Sequence, residues 1–196
     1  MQLVALTGAK QSGKSTAAKI FVDEYGFVRL RFAEALKNML RVLGVTEAQL
    51  DGDEKESPCE LLGGKTARYA MITLGTSWGR EIIGGDLWVR VMRNEIVRLM
   101  ILNPDVKIVV DDTRHPNEYT MLVSLGAKIH CIRRPSVETI QTRTQKFMSR
   151  FGVGPKVHSS ETYWHTFRAH SLIVNNRTEA SFKYYIRQLA EEYNHV

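Results

Sequence analysis

Eight residues near the start of the chain, Gly8-Ala9-Lys10-Gln11-Ser12-Gly13-Lys14-Ser15, have the types and spacing of a phosphate-holding loop. They fill every fixed position of G-x-x-x-x-G-K-[ST], the P-loop. Glycine lets the backbone curl so that successive N–H groups point at one anion. Ala9, Lys10, Gln11, Ser12, Gly13, Lys14, Ser15 and Thr16 are therefore the candidate nucleotide-binding residues. In such a loop the lysine, here Lys14, reaches the β- and γ-phosphates, and the Ser15 hydroxyl takes one place on a Mg²⁺ ion. The flanks agree with this reading. Leu3-Val4-Ala5-Leu6 reads as a buried strand, and Thr16-Ala17-Ala18-Lys19-Ile20-Phe21 opens a helix. An anion at that junction faces a helix N-terminus, where the macrodipole favours it.

A second group of charges falls where further strands end. Asp111-Asp112 closes the apolar run Lys107-Ile108-Val109-Val110. A P-loop protein places there the carboxylate that holds Mg²⁺, directly or through water. The strand-end pattern favours Asp111 of the two. Arg114 follows, and Arg133-Arg134 ends the next strand. Ligands of an open α/β sheet bind beyond the carboxyl ends of its strands, so Arg114 and Arg133 are candidate phosphate contacts. Arg143, Lys146 and Arg150 sit on one helix face, ahead of a glycine-rich segment and His158-Ser159-Ser160-Glu161. Residues 136–161 thus read as a basic lid that closes over phosphates and excludes water. Arg68 and Arg80 are candidate contacts of an acceptor phosphate. Trp78 and Trp88 lie beside Arg80 and Asp86, and either indole could stack on a base. Trp88, between Leu87 and Val89, reads as core.

The rest of the chain supplies the frame. Its 196 residues suit one domain with a small lid, and 43% hydrophobic with 24% charged residues is ordinary for a folded chain. Helices are expected to about Tyr25, closed by Gly26, and over 33–43, stopped by Gly44. Strands are expected over 27–32, 107–110, 127–132 and 172–174. The polar stretch 46–65, with Pro58 and Gly63-Gly64, reads as a mobile loop. Two helices follow over 66–74 and 86–102, with Gly75 and Gly84-Gly85 as breaks, then helices over 116–125, 137–151 and 179–193. Strands alternating with helices, each strand an unbroken apolar run, argue a parallel sheet covered on both faces.

Twenty-seven Lys+Arg against 21 Asp+Glu leave a formal charge of +6, which suits polyanionic ligands. No apolar run approaches the roughly 18 residues of a membrane span, and no basic leader precedes the first strand. A cytoplasmic chain is expected, with Cys59 and Cys131 as reduced thiols. Asn175-Asn176-Arg177-Thr178 is not the N-K-x-D guanine reader, and Asp112-Thr113-Arg114-His115 is not the D-x-x-G switch of GTPases. There is no helix-turn-helix, zinc or RNA-binding pattern, so nucleic acid is not the expected partner.

Five blocks in order resemble the phage-type deoxynucleoside monophosphate kinases, a branch of the P-loop nucleoside monophosphate kinase fold. They are the P-loop; Phe32-Ala33-Glu34-Ala35-Leu36-Lys37; Leu62-Gly63-Gly64-Lys65-Thr66-Ala67-Arg68 running into Leu74-Gly75-Thr76-Ser77-Trp78-Gly79-Arg80; Asp112-Thr113-Arg114-His115-Pro116-Asn117-Glu118; and His158-Ser159-Ser160-Glu161. His115 departs from the aromatic expected at its position. The resemblance implies a three-layer α/β P-loop kinase fold over 1–196 with a small helical lid, ATP and Mg²⁺ as cofactors, and a deoxynucleoside monophosphate (dNMP) as acceptor. It favours Asp112 over Asp111 and places a monophosphate-binding segment at 46–88. Lys37, Arg68, Trp78, Arg80, Asp86, Trp88, Arg114 and Glu118 become the candidate acceptor contacts. Lys14, Arg114, Arg133, Arg143 and Arg150 become the candidate catalytic cations. A homodimer, in the host cytoplasm if the chain is phage-encoded, goes with the resemblance. Two other readings remain: a P-loop kinase for another small metabolite, and a P-loop ATPase that binds nucleic acid.

Overall fold

The computed structural model describes residues 1–138 and 163–194. The chain forms two compact units, Met1–Leu30 with Arg98–Val196, and Arg31–Val97.

The first unit is built on the apolar runs. β1 (Gln2–Thr7) is the middle strand of a five-stranded sheet ordered β2 (Val28–Leu30), β5 (Lys107–Val110), β1, β6 (Lys128–Arg133), β7 (Ser171–Val174). Every neighbouring pair is parallel, with Val4 facing Val109 on one side and Lys128 on the other. Parallel strands need crossovers, and α1 (Lys14–Tyr25), α6 (Pro116–Ser124) and α7 (Glu179–Glu191) cover the sheet's apolar surface. On one face Val4 and Leu6 pack with Ala17, Ala18 and Phe21 of α1 and with Phe182 and Ile186 of α7. Leu3 and Ala5 alternate to the other face and are equally buried. The expected α/β fold is therefore present. α1 closes at Gly26 in the left-handed conformation, as its sequence implies. β2 is shorter than expected: Phe27 is buried ahead of it, and Phe32 already starts a helix.

The second unit corrects two expectations. It contains α2 (Phe32–Val42), α3 (Glu47–Leu50), the antiparallel pair β3 (Pro58–Cys59) and β4 (Lys65–Thr66), α4 (Ala67–Ile72) and the opening turns of α5 (Leu87–Leu102). The stretch 46–65 is thus a helical turn and a hairpin where composition suggested a loop. Thr46 Oγ1 accepts from the Gln49 N–H at 3.3 Å and Gln49 Oε1 from the Thr46 N–H at 3.0 Å, a capping box that starts α3. Leu50 then enters a core with Leu40, Val45, Ala67 and Met71. Gly75 does not break the following helix, because α4 continues into a π-helical stretch, Thr73–Ile83, that stops only at Gly84. Gly79 within it serves packing, because a Cβ there would collide with the Trp88 indole.

Cys59 and Cys131 are buried free thiols, and burial pushes the Cys131 thiol up. No helix among the described residues is long and apolar enough to cross a membrane. The lid expected over 136–161, with Arg143 and Arg150, falls almost wholly outside the described residues.

Candidate active site

The P-loop joins β1 to α1, and its backbone leaves little choice of residue. Gly8 has φ +139°, and a Cβ there would come within 2.1 Å of the Ile132 carbonyl oxygen. Gly13 has φ +113°, and its Cβ would meet the Asn175 amide nitrogen and the Phe182 ring at 2.9 Å. Gln11, between them, holds φ 64°, which is costly for a residue with a side chain. Both fixed glycines of the motif are thus required by close approach as well as by conformation. Asn175 Nδ2 donates to the Ser12 carbonyl at 3.0 Å and clamps the loop from the end of β7. Lys14 is 9% exposed and folds back over its own loop, its Nζ donating to the carbonyls of Gly8 at 2.7 Å and Ala9 at 2.6 Å. The N-cap of α1 is Gly13, which has no side chain to cap it, and no acidic residue lies in the helix's first turn, so nothing on the helix itself offsets the positive end. Among the described residues, the buried Ser12 hydroxyl has no hydrogen-bond partner.

The end of β5 approaches the same edge of the sheet. Asp111 is 3% exposed and takes the Arg29 guanidinium in a fork, Nε to Oδ1 at 3.1 Å and Nη2 to Oδ2. Asp112 is half-buried beside it. The Thr113 carbonyl accepts from Thr7 Oγ1 at 3.4 Å. Glu118 is buried, and its carboxylate accepts from the N–H groups of Arg114 at 2.8 Å and His115 at 3.0 Å. The structure therefore gives Glu118, expected as an acceptor contact, the task of fixing the turn that carries Arg114. Arg133 is 46% exposed; it forks onto Glu138 and lies 6.0 Å over the Trp164 ring.

The remaining candidates belong to the second unit. Lys37 is buried and its Nζ donates to Asp51. Arg68 pairs with Glu56 at 3.2 Å on the surface. Arg80 Nη1 donates to the Gly85 carbonyl at 3.3 Å, and Asp86 is exposed just before α5. The two tryptophans separate. Trp78 is 38% exposed, while Trp88 is 5% exposed with its indole N–H donating to the Gly75 carbonyl at 2.9 Å. A Cβ on Gly79 would lie 2.5 Å from that indole nitrogen. Trp88 is a core residue, and the second glycine of Leu74-Gly75-Thr76-Ser77-Trp78-Gly79-Arg80 exists to admit it. Residue patterning missed Arg29 and Asn175. The signal available for Asn175 was its position one residue beyond the last apolar strand.

A solved dephospho-CoA kinase from Campylobacter jejuni superposes with a TM-score of 0.53, over 98% of this chain and 97% of that one, at 16% identity. The fold is that of the P-loop kinases. In sequence, a protein of Acanthamoeba polyphaga mimivirus named "Putative deoxynucleotide monophosphate kinase" is 28% identical over 193 residues, 93% of this chain and 92% of that protein. No family model matches the chain. With this fold and an intact phosphate loop, the chain is a P-loop phosphotransferase enzyme.

Proposed function

We propose that this P-loop kinase transfers the γ-phosphoryl group of ATP to a deoxynucleoside monophosphate, giving the diphosphate and ADP. The observation that carries phosphoryl transfer is the loop itself: a cradle closed to any Cβ at Gly8 and Gly13, with Lys14 lying across it. The acceptor class is supported by the mimivirus relative, whose match spans nearly the whole of both chains.

The residues present fit nucleotide and metal. The N-terminus of α1, opened by Gly13, and the buried Ser12 hydroxyl, which has no partner among the described residues, suit phosphate oxygens, and Ser15 with Asp112 offers the hard oxygen donors that Mg²⁺ takes. When bound, Mg-ATP supplies the transferable phosphoryl group and the divalent charge that offsets its oxygens. The chain's own residues position and neutralise. Lys14, Arg114 and Arg133 bring fixed positive charge to the phosphates, and Arg143 and Arg150 add to it from outside the described residues. Glu118 keeps the Arg114 backbone in place. Lys37, Arg68 and Arg80 hold the acceptor's anionic end, and the exposed Trp78 stacks on its base. An acceptor phosphate is already ionised at neutral pH, so no strong general base is required; positioning carries the rate. A homodimer in the cytoplasm goes with this reading and rests on the resemblance alone.

The test is to follow γ-labelled ATP with a dNMP present. Label appearing in the dNDP supports the reading. Label confined to inorganic phosphate, or found on another acceptor, overturns it.

A further inference from the structure

Lys37 is a lysine buried to 4% exposure on α2, in the second unit. A buried ammonium must be covered by an anion, since its desolvation is otherwise uncompensated. Its cover is the Asp51 carboxylate, which reaches it from the end of α3. Arg31 takes the other oxygen of that carboxylate, with Nη1 at 3.3 Å from Oδ2. One carboxylate thus serves two cations. The nearby carboxylates are engaged differently: Arg41 donates to Glu34 at 2.6 Å and forks onto Glu47, and Arg31 also reaches Glu34 at 2.6 Å.

The pair is asymmetric. The Lys37 side chain is 5% exposed and that of Asp51 is 40% exposed, so the cation lies beneath and the anion on top. Partial burial pushes the Asp51 carboxyl up, but Lys37 and Arg31 outweigh it and hold the group below its usual range, ionised at neutral pH. α3 itself is anchored by buried Leu50 and by the Thr46 capping box. Asp51 follows that anchor, so its side chain can turn outward about χ1 while α3 stays in place. A phosphate monoester brings more oxygens and more charge to the same two donors than a carboxylate does.

We propose that Arg31 and Lys37 form the seat of the acceptor's phosphate, and that the Asp51 carboxylate is its internal stand-in, displaced when substrate binds. This rests on the acceptor being a phosphate ester, as in the reading above. Asp51 then sets the acceptor's apparent affinity, because each binding event must first break its pairing.

The test is calorimetric titration of inorganic phosphate into the full-length chain carrying Lys14→Ala, which weakens the P-loop as a competing site. The same protein with Asp51→Asn is expected to bind phosphate about threefold tighter or more, the scale of one partly exposed ion pair. Titration of dTMP into the otherwise native chain should shift alike. Unchanged or weaker binding in an Asp51→Asn protein that melts normally overturns the seat. Should Asp51→Asn not fold, Arg31→Gln serves: phosphate binding should weaken several-fold, and unchanged binding overturns the proposal. The two readings fail separately. Tighter phosphate binding without dNMP phosphorylation keeps the seat and removes the dNMP reading. Phosphorylated dNMP with unaltered affinity in Asp51→Asn does the reverse.

Discussion

Arg29 grips Asp111 with both arms of its guanidinium, joining β2 to the residue that follows β5. The carboxylate that the strand-end pattern offered to Mg²⁺ is therefore occupied by a fixed cation. Asp112, half-buried one residue on, is the metal-side carboxylate in our account, in agreement with the family resemblance. The two aspartates should separate on mutation. Asp111→Asn removes one partner of a nearly buried pair and should cost about 2–4 kcal/mol of stability, visible as a lowered Tm. Asp112→Asn should leave the melt close to native and reduce kcat about 100-fold or more, with a raised Mg²⁺ requirement. The opposite pattern would assign the metal to Asp111.

Asn175 offers a test of loop preorganisation. Its amide reaches the Ser12 carbonyl from the end of β7. Asn175→Ala should raise KM for ATP several-fold while KM for the acceptor stays near native. Equal changes in both would point to general loosening of the fold.

The tryptophan pair predicts two different phenotypes. Gly79→Ala forces a methyl group to within 2.5 Å of the Trp88 indole and should cost on the order of 1–3 kcal/mol. Trp78→Ala removes a half-exposed ring and should change stability by less than about 1 kcal/mol while raising KM for the acceptor. Melting curves and acceptor titrations of the two variants distinguish these outcomes.

Acid stability should depend on His130. The ring is buried, with Nδ1 2.6 Å from Ser171 Oγ and Nε2 2.7 Å from the Tyr193 hydroxyl. Burial, helped by His170 and Lys128, pushes its pKa down to about 4. An unfolded histidine takes up its proton near pH 6.5. Between those values the unfolded chain binds a proton that the native ring refuses, so stability falls as pH drops through that window. The limiting slope from this one group is about 1.4 kcal/mol per pH unit. His130→Gln should flatten denaturation midpoints measured between pH 6.5 and 4. A slope equal to the native protein's would remove His130 as the cause.

Much of the first unit was legible because its signals are local. Leu3 to Leu6 is apolar on both faces, as a central parallel strand must be, and Gly8 and Gly13 mark positions where only glycine fits. The second unit was less legible. Pro58, Gly63 and Gly64 belong to a hairpin whose pairing and core partners lie on other segments, so composition alone reads as loop. Gly75 reads as a helix breaker because nothing local announces the π-helical stretch that carries the chain past it, and the need for Gly79 is hidden because Trp88, which packs on it, lies further along the chain. The Glu118 carboxylate caps the turn at Arg114 and His115, and residue type alone does not tell such a cap from a ligand contact, since both use the same oxygens. Arg29 left no trace in the sequence at all, its partner being 82 residues away.

The most direct test of the central claim is a coupled ADP-release assay with Mg-ATP and each of dAMP, dCMP, dGMP, dTMP and their ribose counterparts, run beside Lys14→Ala. We predict ADP formation that requires a dNMP, with the Lys14→Ala protein folded but inactive. ADP released equally without acceptor, or only with a phosphorylated acceptor of another class, would contradict the account.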